Sequence, residues 1–182
     1  MKKATHFLII FTSFVILGCG ASNPVKRQVS AEASKNPVSV DYRVQYSNAS
    51  GASDAVKGDC IIDKQLSEFI ESYASEIDIA VSRSQRRVSQ NGNGRVLMLE
   101  FSQILGHGGG AWSGAKAVTV KGQLYENGRL VGDFTGRRYS GGGAFGGFKG
   151  TCAILGRCVK ALGKDIAYWL QAPTRNARLG DL

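Results

Sequence analysis

The segment VTVKGQLYENGRLVGDF, residues 118–134, determines the predicted fold class because it contains two strands and the turn between them. Apolar residues and glycine occupy alternate positions on both sides of the turn: Val118, Val120, Gly122 and Leu124 before it, and Leu130, Gly132 and Phe134 after it. A period of two is typical of a half-buried strand. The dipeptide Asn127-Gly128 between the two runs favours a type I′ turn. We therefore predict an antiparallel hairpin whose second strand runs to about Tyr139.

Further strands are predicted on the N-terminal side of this hairpin. Residues 38–47 alternate apolar and polar side chains throughout, and residues 97–101 do the same in a strand that ends near Leu105. Alternation also begins within residues 77–81, which indicates another possible strand. The hairpin, the strand before it and the first strand give a sheet of four to five strands, mainly antiparallel.

Two amphipathic helices flank the long strands. The apolar positions of the first helix follow the spacing of three and four that places them on one face; they are Leu66, Phe69, Ile70, Tyr73 and Ile77. The second helix begins near Thr151 and ends before Pro173, with the same spacing at Leu155, Cys158, Val159, Leu162, Ile166 and Trp169. The predicted fold class is α+β, with the two helices packed on one face of the sheet.

The N-terminus carries a targeting signal. Lys2 and Lys3 precede an apolar run, Phe7 to Leu17, which has the length of a signal-peptide core and is too short to span a membrane. The run ends in Val15-Ile16-Leu17-Gly18-Cys19, which resembles the lipobox of bacterial lipoprotein signal peptides. The alternatives are an ordinary signal peptide, an uncleaved anchor and a core helix.

The lipobox resemblance implies cleavage before Cys19 and acylation of that cysteine, which would anchor the chain in a lipid bilayer. Stable anchoring needs more than one acyl chain, and a triacylated cysteine supplies them. In lipoproteins an aspartate after the cysteine favours retention in the inner membrane. Gly20 stands there in this chain, so the resemblance implies a periplasm-facing position on the outer membrane of a Gram-negative cell.

The chain divides into four predicted parts. Residues 1–18 are the lipoprotein signal peptide, and residues 19–37 are the acylated cysteine and a flexible tether without periodicity. Residues 38–173 form a single α+β domain, long enough to bury a core. Residues 174–182 are a polar tail.

The chain is basic, with a formal net charge of +9 that falls to +7 when Lys2 and Lys3 leave with the leader. A basic protein in the periplasm is attracted to acidic envelope proteins and to anionic glycolipids or headgroups. The simpler interpretation is that the charge only keeps the domain soluble. Nucleic acid is not an expected partner, because the leader directs the chain away from it.

Three cysteines remain if Cys19 is acylated. Cys152 and Cys158 are close enough in sequence for a local disulfide, but only if the segment before Gly156 is turn-like, since residues six apart on a helix lie on different faces. We predict this pair, and the alternatives are Cys60 bonded to either of them, or free thiols. The cysteine spacings fit no zinc pattern, and no cofactor or metal is predicted.

The motifs that suggest catalysis are incomplete. Gly106-His107-Gly108-Gly109-Gly110 resembles the oxyanion-hole string of some lipases and esterases. The sequence has no Gly-x-Ser-x-Gly elbow, and His6 leaves with the leader, so a hydrolase is the least favoured alternative. Carboxylates such as Asp133 and Glu100 remain as possible catalytic groups. The predicted protein is not an enzyme.

An anion-binding site is the second functional alternative. The glycine-rich segment 141–150 precedes a helix and contains Lys149, and Arg137 lies near the end of the preceding strand. Glycine-rich backbone at a helix N-terminus beside a cation can hold an anion. This alternative predicts an anionic small molecule or lipid headgroup bound by Arg137 and Lys149. Arg86 and Arg87 are interpreted as solvated surface.

The order of the elements resembles a loose group of uncharacterised Gram-negative outer-membrane lipoproteins. The features that carry the resemblance are Val96–Phe101, Ser113–Lys116, Asn127-Gly128 and a terminal helix that ends in residues 165–170. The resemblance spans roughly residues 95–173. This part of the chain is similar in outline to small α+β domains of periplasmic envelope-assembly factors. The resemblance implies a non-enzymatic lipoprotein that binds or supports an envelope component.

Overall fold

The computed structural model describes residues 30, 36–106, 115–140 and 150–182. Cys19, the predicted tether up to residue 29, His107 and Lys149 lie outside the described residues. The elements in chain order are β1 (Val38–Asp41), β2 (Gln45–Tyr46), α1 (Asp54–Asp59), α2 (Ile62–Glu76), β3 (Val81–Ser84), β4 (Arg95–Leu105), β5 (Lys116–Glu126), β6 (Arg129–Ser140), α3 (Thr151–Trp169) and β7 (Ala177–Gly180).

Within the described residues the sheet has seven strands and is mixed, which corrects the predicted four to five mainly antiparallel strands. Its order is β3-β1-β4-β5-β6-β7, with β2 paired to β4 beyond the end of β1. Only β4, β5 and β6 pair antiparallel, and β1, β2, β3 and β7 all make parallel pairs. The α+β class is confirmed. β1 and β2 were merged into one strand because the alternation continues across the break between them, and β7 was missed because four residues are too few to show a period.

The predicted hairpin at Asn127-Gly128 is confirmed. Both residues have positive φ angles, 50° and 81°, as a type I′ turn requires. Asn127 also accepts a hydrogen bond through Oδ1 from the Gly94 N–H at 2.9 Å. The turn therefore also fixes the chain just before β4, next to its own hairpin.

The predicted first strand is interrupted in its middle. Its two halves, β1 and β2, both run along β4, but the residues between them bond elsewhere. The Tyr42 N–H donates to Ser84 O at 2.8 Å, and the Val44 N–H donates to Asp63 O at 3.0 Å. Since Val44 is buried, the break brings the connection between β1 and β2 against the start of α2.

Two long helices pack together on one face of the sheet, as predicted, and a short third helix precedes them. Leu66 and Ile70 of α2 and Leu162 and Ile166 of α3 are fully buried in the shared core. The sequence analysis did not predict the short helix α1, which the Ser53 hydroxyl caps by accepting from the Val56 N–H. Ile61 occupies the N-cap position of α2 and makes no capping hydrogen bond through its side chain.

The C-terminal residues form a strand, which corrects the predicted polar tail 174–182. In β7, Ala177 and Leu179 pack against the core on the helix side of the sheet, level with Phe134 and Gly136. Asp133 fastens the segment, because its carboxylate accepts from the Arg175 side chain and from the Asn176 N–H. The domain therefore continues at least to Gly180.

The disulfide joins Cys60 to Cys152, with Cα atoms 5.0 Å apart. This corrects the predicted Cys152–Cys158 pair and agrees with the alternative that used Cys60. Helix α3 runs without a break through Gly156, so Cys152 and Cys158 are separated by about 9 Å along its axis, beyond disulfide reach. Cys158 is a free, buried thiol. The disulfide ties the C-terminal end of α1 to the first turn of α3.

Candidate functional site

The candidate site is the face of the sheet opposite α2 and α3, called here the open face. Strand register shows which residues share it: Phe101, Val120 and Gly136 form one cross-strand row in the core, so the adjacent row points the other way. That row is Gln45, Glu100, Lys121, Thr135 and Arg178, one residue from each of five strands. Glu100, Lys121 and Arg178 are exposed.

A shallow depression of about 540 Å³ occupies the middle of the open face. The side chains around it are mostly polar, and they include Met98, Lys121, Gln123, Thr135 and Arg87. Lys121 lies directly opposite Glu100 across the strand pair, and Gln123 lies opposite Asp133. Cross-strand neighbours of this kind are about 5 Å apart, so the face presents closely spaced donors and acceptors on a rigid sheet.

Asp133 and Glu100, the two possible catalytic carboxylates of the sequence analysis, have different environments in the structure. Asp133 is engaged by Arg175 and the Asn176 N–H, so it holds the C-terminal segment in place. Glu100 is exposed opposite Lys121. The structure therefore gives Asp133 a structural contact and leaves Glu100 exposed on the open face.

Of the predicted anion-binding pair, the structure places only Arg137. It lies on β6 in the row that contains Thr119, next to the row described above, and it is half-buried. Lys149 falls outside the described residues, so their proximity stays a prediction. The neighbouring Arg138 points to the helix side instead, where it forms a bidentate pair with Asp165, at 2.7 and 2.8 Å, and a contact with Asp181 at 3.0 Å.

A second concavity, missed by the sequence analysis, adjoins the open face. Its volume is about 410 Å³, and three of the residues that line it, Arg43, Lys64 and Arg87, are basic. They come from the β1–β2 connection, the first turn of α2 and the loop after β3. No sequence pattern links positions so far apart, and Arg87 had been interpreted as solvated surface.

Three described groups have clearly shifted pKa values. Burial raises the pKa of the Tyr46 phenol to about 12, with a smaller contribution from Asp63. Burial also raises the pKa of the Cys158 thiol to about 11. The hydrogen bond to Asp165 raises the pKa of Arg138 above its ordinary value. Each shift favours the protonated form that the group already has at neutral pH.

Comparisons with known proteins give structural matches only. No protein-family model matches the chain, and no curated protein does. The PelC dodecamer from Paraburkholderia phytofirmans is 17% identical, with a TM-score of 0.42 over 71% of this chain and 86% of that one. A minor lipoprotein from Acinetobacter baumannii is 12% identical, with a TM-score of 0.42 over 75% and 93%.

A Xanthomonas campestris protein assigned to the DUF330 family is 16% identical, with a TM-score of 0.46 over 81% of this chain and 87% of that one. Of these three structures, the one from Acinetobacter baumannii is described as a lipoprotein. All three TM-scores are below 0.5, and we infer nothing about this chain's function from them.

Proposed function

We propose that this chain is a non-enzymatic lipoprotein, anchored through acylated Cys19 in the outer membrane and facing the periplasm, whose open face binds or supports an envelope component. The observation that carries the proposal is the one-sided sheet. The described helices lie against one face, and exposed polar side chains with a depression of about 540 Å³ occupy the other. A flat, rigid surface of mixed charge suits a protein or glycolipid partner.

The distribution of charge supports the open face as the binding surface. Residues 54–78, which include α1 and α2, contain seven acidic and two basic residues, whereas residues 81–140, which include β3 to β6, contain nine basic and three acidic residues. Helices α1 and α2 are therefore acidic on balance and the strand segment is basic, although Arg83, Lys116 and Arg138 of that segment lie on the helix side or in the core. The open face keeps a small positive excess, which would favour an acidic envelope protein or an anionic glycolipid.

The membrane anchor is supported by the sequence. The lipobox-like Val15–Cys19 follows the basic residues and the apolar run of a signal peptide. Within the described residues, none of the helices has the length and apolar character needed to cross a bilayer. Cys19 lies outside those residues, so its acylation remains part of the proposal.

The non-enzymatic role rests on the sequence, in which the motifs that suggest catalysis are incomplete, and it stays part of the proposal. The anion-binding alternative with Arg137 and Lys149 stays a separate prediction.

The anchor is tested by intact mass and membrane fractionation of the wild type and Cys19→Ser. We expect the wild-type chain to begin at a triacylated Cys19 and to fractionate with the outer membrane, and the variant to lose both properties. A wild-type chain without acylation would refute the anchor and make all four cysteines available for pairing.

The open face is tested by photo-crosslinking in cells from two exposed positions. A photoreactive residue at Gln123 lies on the open face, and one at Glu68 lies on the acidic helix α2. We expect one defined adduct with an envelope protein or a glycolipid at Gln123 only, and weaker crosslinking when Lys121→Glu is added. Equal crosslinking at Glu68, or no effect of Lys121→Glu, would contradict the assignment of this face.

A further inference from the structure

The second concavity, which we call the basic groove, has an arrangement of charge that the proposed function does not explain. Six of its lining residues matter here: Asp41, Arg43, Lys64, Ser84, Gln85 and Arg87. Three of them are cations, and Asp41 is the acidic member. The three cations around about 410 Å³ outnumber the two nearby carboxylates, Asp41 in the lining and Asp63 beside Arg43, by one positive charge.

The cations of the groove are only partly neutralised. Arg43 is 58% exposed and donates through one terminal nitrogen to Asp63 at 3.1 Å, which leaves other N–H groups of its guanidinium for a ligand. Lys64 and Arg87 form no ion pair with any residue in the described ranges. The Asp41 carboxylate is buried and accepts from the Val88 N–H at 2.7 Å.

The walls of the groove are held in place by hydrogen bonds. The Asp41 contact fixes the loop that carries Arg87, and the Ser84 hydroxyl donates to Arg86 O at 2.6 Å in the same loop. The Tyr42 N–H donates to Ser84 O at 2.8 Å, which fastens the opposite wall to β3. A site whose walls are already ordered loses less entropy when a ligand binds.

We propose that the basic groove binds a phosphate group through Arg43, Lys64 and Arg87. Guanidinium groups match phosphate oxygens with paired N–H donors, and a lysine adds a point charge. With Asp41 and Asp63 counted, the three cations leave one excess positive charge, and an anionic phosphate supplies the counter-charge that Lys64 and Arg87 lack. The polar lining and the open shape match a phosphate on a small headgroup or in free solution. The site goes beyond the proposed function, because phosphate binding and anchoring at Cys19 succeed or fail separately.

The first test measures thermal unfolding of the detergent-solubilised protein against inorganic phosphate at constant ionic strength. We expect the Tm to rise and saturate for the wild type. Lys64→Gln and Arg87→Gln should each weaken binding about tenfold, because each removes one charge-assisted contact. The matched control is Lys160→Gln, which removes one exposed positive charge on α3 and should bind as the wild type does.

The second test distinguishes a free phosphate from a lipid headgroup. Bicelles with and without phosphatidylglycerol replace inorganic phosphate, and the Arg87→Gln effect is measured again. A shift that requires both phosphatidylglycerol and Arg87 assigns the site to headgroups, and a response to inorganic phosphate alone assigns it to the free ion. If neither probe gives saturable binding, or if Lys160→Gln weakens binding as much as Arg87→Gln, the proposal is wrong.

Discussion

Replacement of Gly163 by alanine tests how α2 and α3 pack together. A Cβ built on Gly163 would lie 2.5 Å from Phe69 Cβ, 3.1 Å from Phe69 C and 3.2 Å from Ile70 N. These atoms belong to the backbone of α2 or are attached directly to it, so no rotamer change can move them away. The helices would have to separate, and the core between them would lose contacts.

The expected change in the free energy of unfolding is the difference between two opposing effects. Overpacking a well-packed core costs about 1–3 kcal/mol, sometimes more, whereas glycine to alanine inside a helix gains about 1 kcal/mol. Because the clash involves atoms of the α2 backbone or attached to it, the upper end of the overpacking range applies, and we expect Gly163→Ala to lower the free energy of unfolding by about 2 kcal/mol. The measurement is urea unfolding followed by circular dichroism, with the disulfide intact.

Gly156 supplies the matched control on the same helix. The nearest atom to its added Cβ is Gln65 Oε1 at 3.4 Å, the far end of a flexible side chain. Gly156→Ala should therefore show only the propensity gain and stabilise the protein by up to about 1 kcal/mol. If Gly163→Ala is as stable as the wild type, or if Gly156→Ala is the more damaging change, the close packing of α2 on α3 at Gly163 is wrong.

Three further predictions concern the cysteines and one buried tyrosine. Replacing Cys60 and Cys152 with alanine should cost about 4–5 kcal/mol in the chain-entropy model, since the disulfide spans 92 residues; peptide mapping that finds Cys152 bonded to Cys158 would contradict it. Cys158 should resist alkylation at pH 8 and react only on unfolding, because burial raises its pKa to about 11; rapid labelling of the native protein would count against this. The raised pKa of Tyr46, about 12 against 10, favours folding fully below pH 10, and this contribution is lost as the pH rises to 12. Tyr46→Phe should therefore flatten the alkaline loss of stability, and an unchanged pH profile would refute the assignment.

The parts of the fold that the sequence predicted are long and periodic. The β5–β6 hairpin was predictable because 11 and 12 residues alternate around a turn dipeptide with a strong conformational preference. Helices α2 and α3 were predictable because their apolar stripes extend over 15 and 19 residues. In these segments local preference and burial favour the same structure.

The parts that were missed depend on contacts between distant residues. β7 has four residues and is held by Asp133, more than 40 positions earlier in the chain. The choice of Cys60 as the disulfide partner depends on how α1 meets α3, which no spacing between cysteines encodes. The basic groove requires Arg43, Lys64 and Arg87 to meet after the sheet has formed. Periodicity is a property of a single segment, so it cannot predict contacts between residues that are distant in the sequence.

Only the folded structure shows where the net positive charge of the chain lies. From composition alone, +9 indicates a general affinity for anions. The fold places the acidic segment 54–78, which includes α1 and α2, against one face of the sheet, and it brings Arg87 to the junction of the open face and the basic groove. On the open face Lys121, Arg137 and Arg178 outnumber Glu100 and Asp133, so an anionic partner should reach this face first. Substitutions that remove charge there should therefore weaken association more than equal substitutions on α3, such as Lys160→Gln.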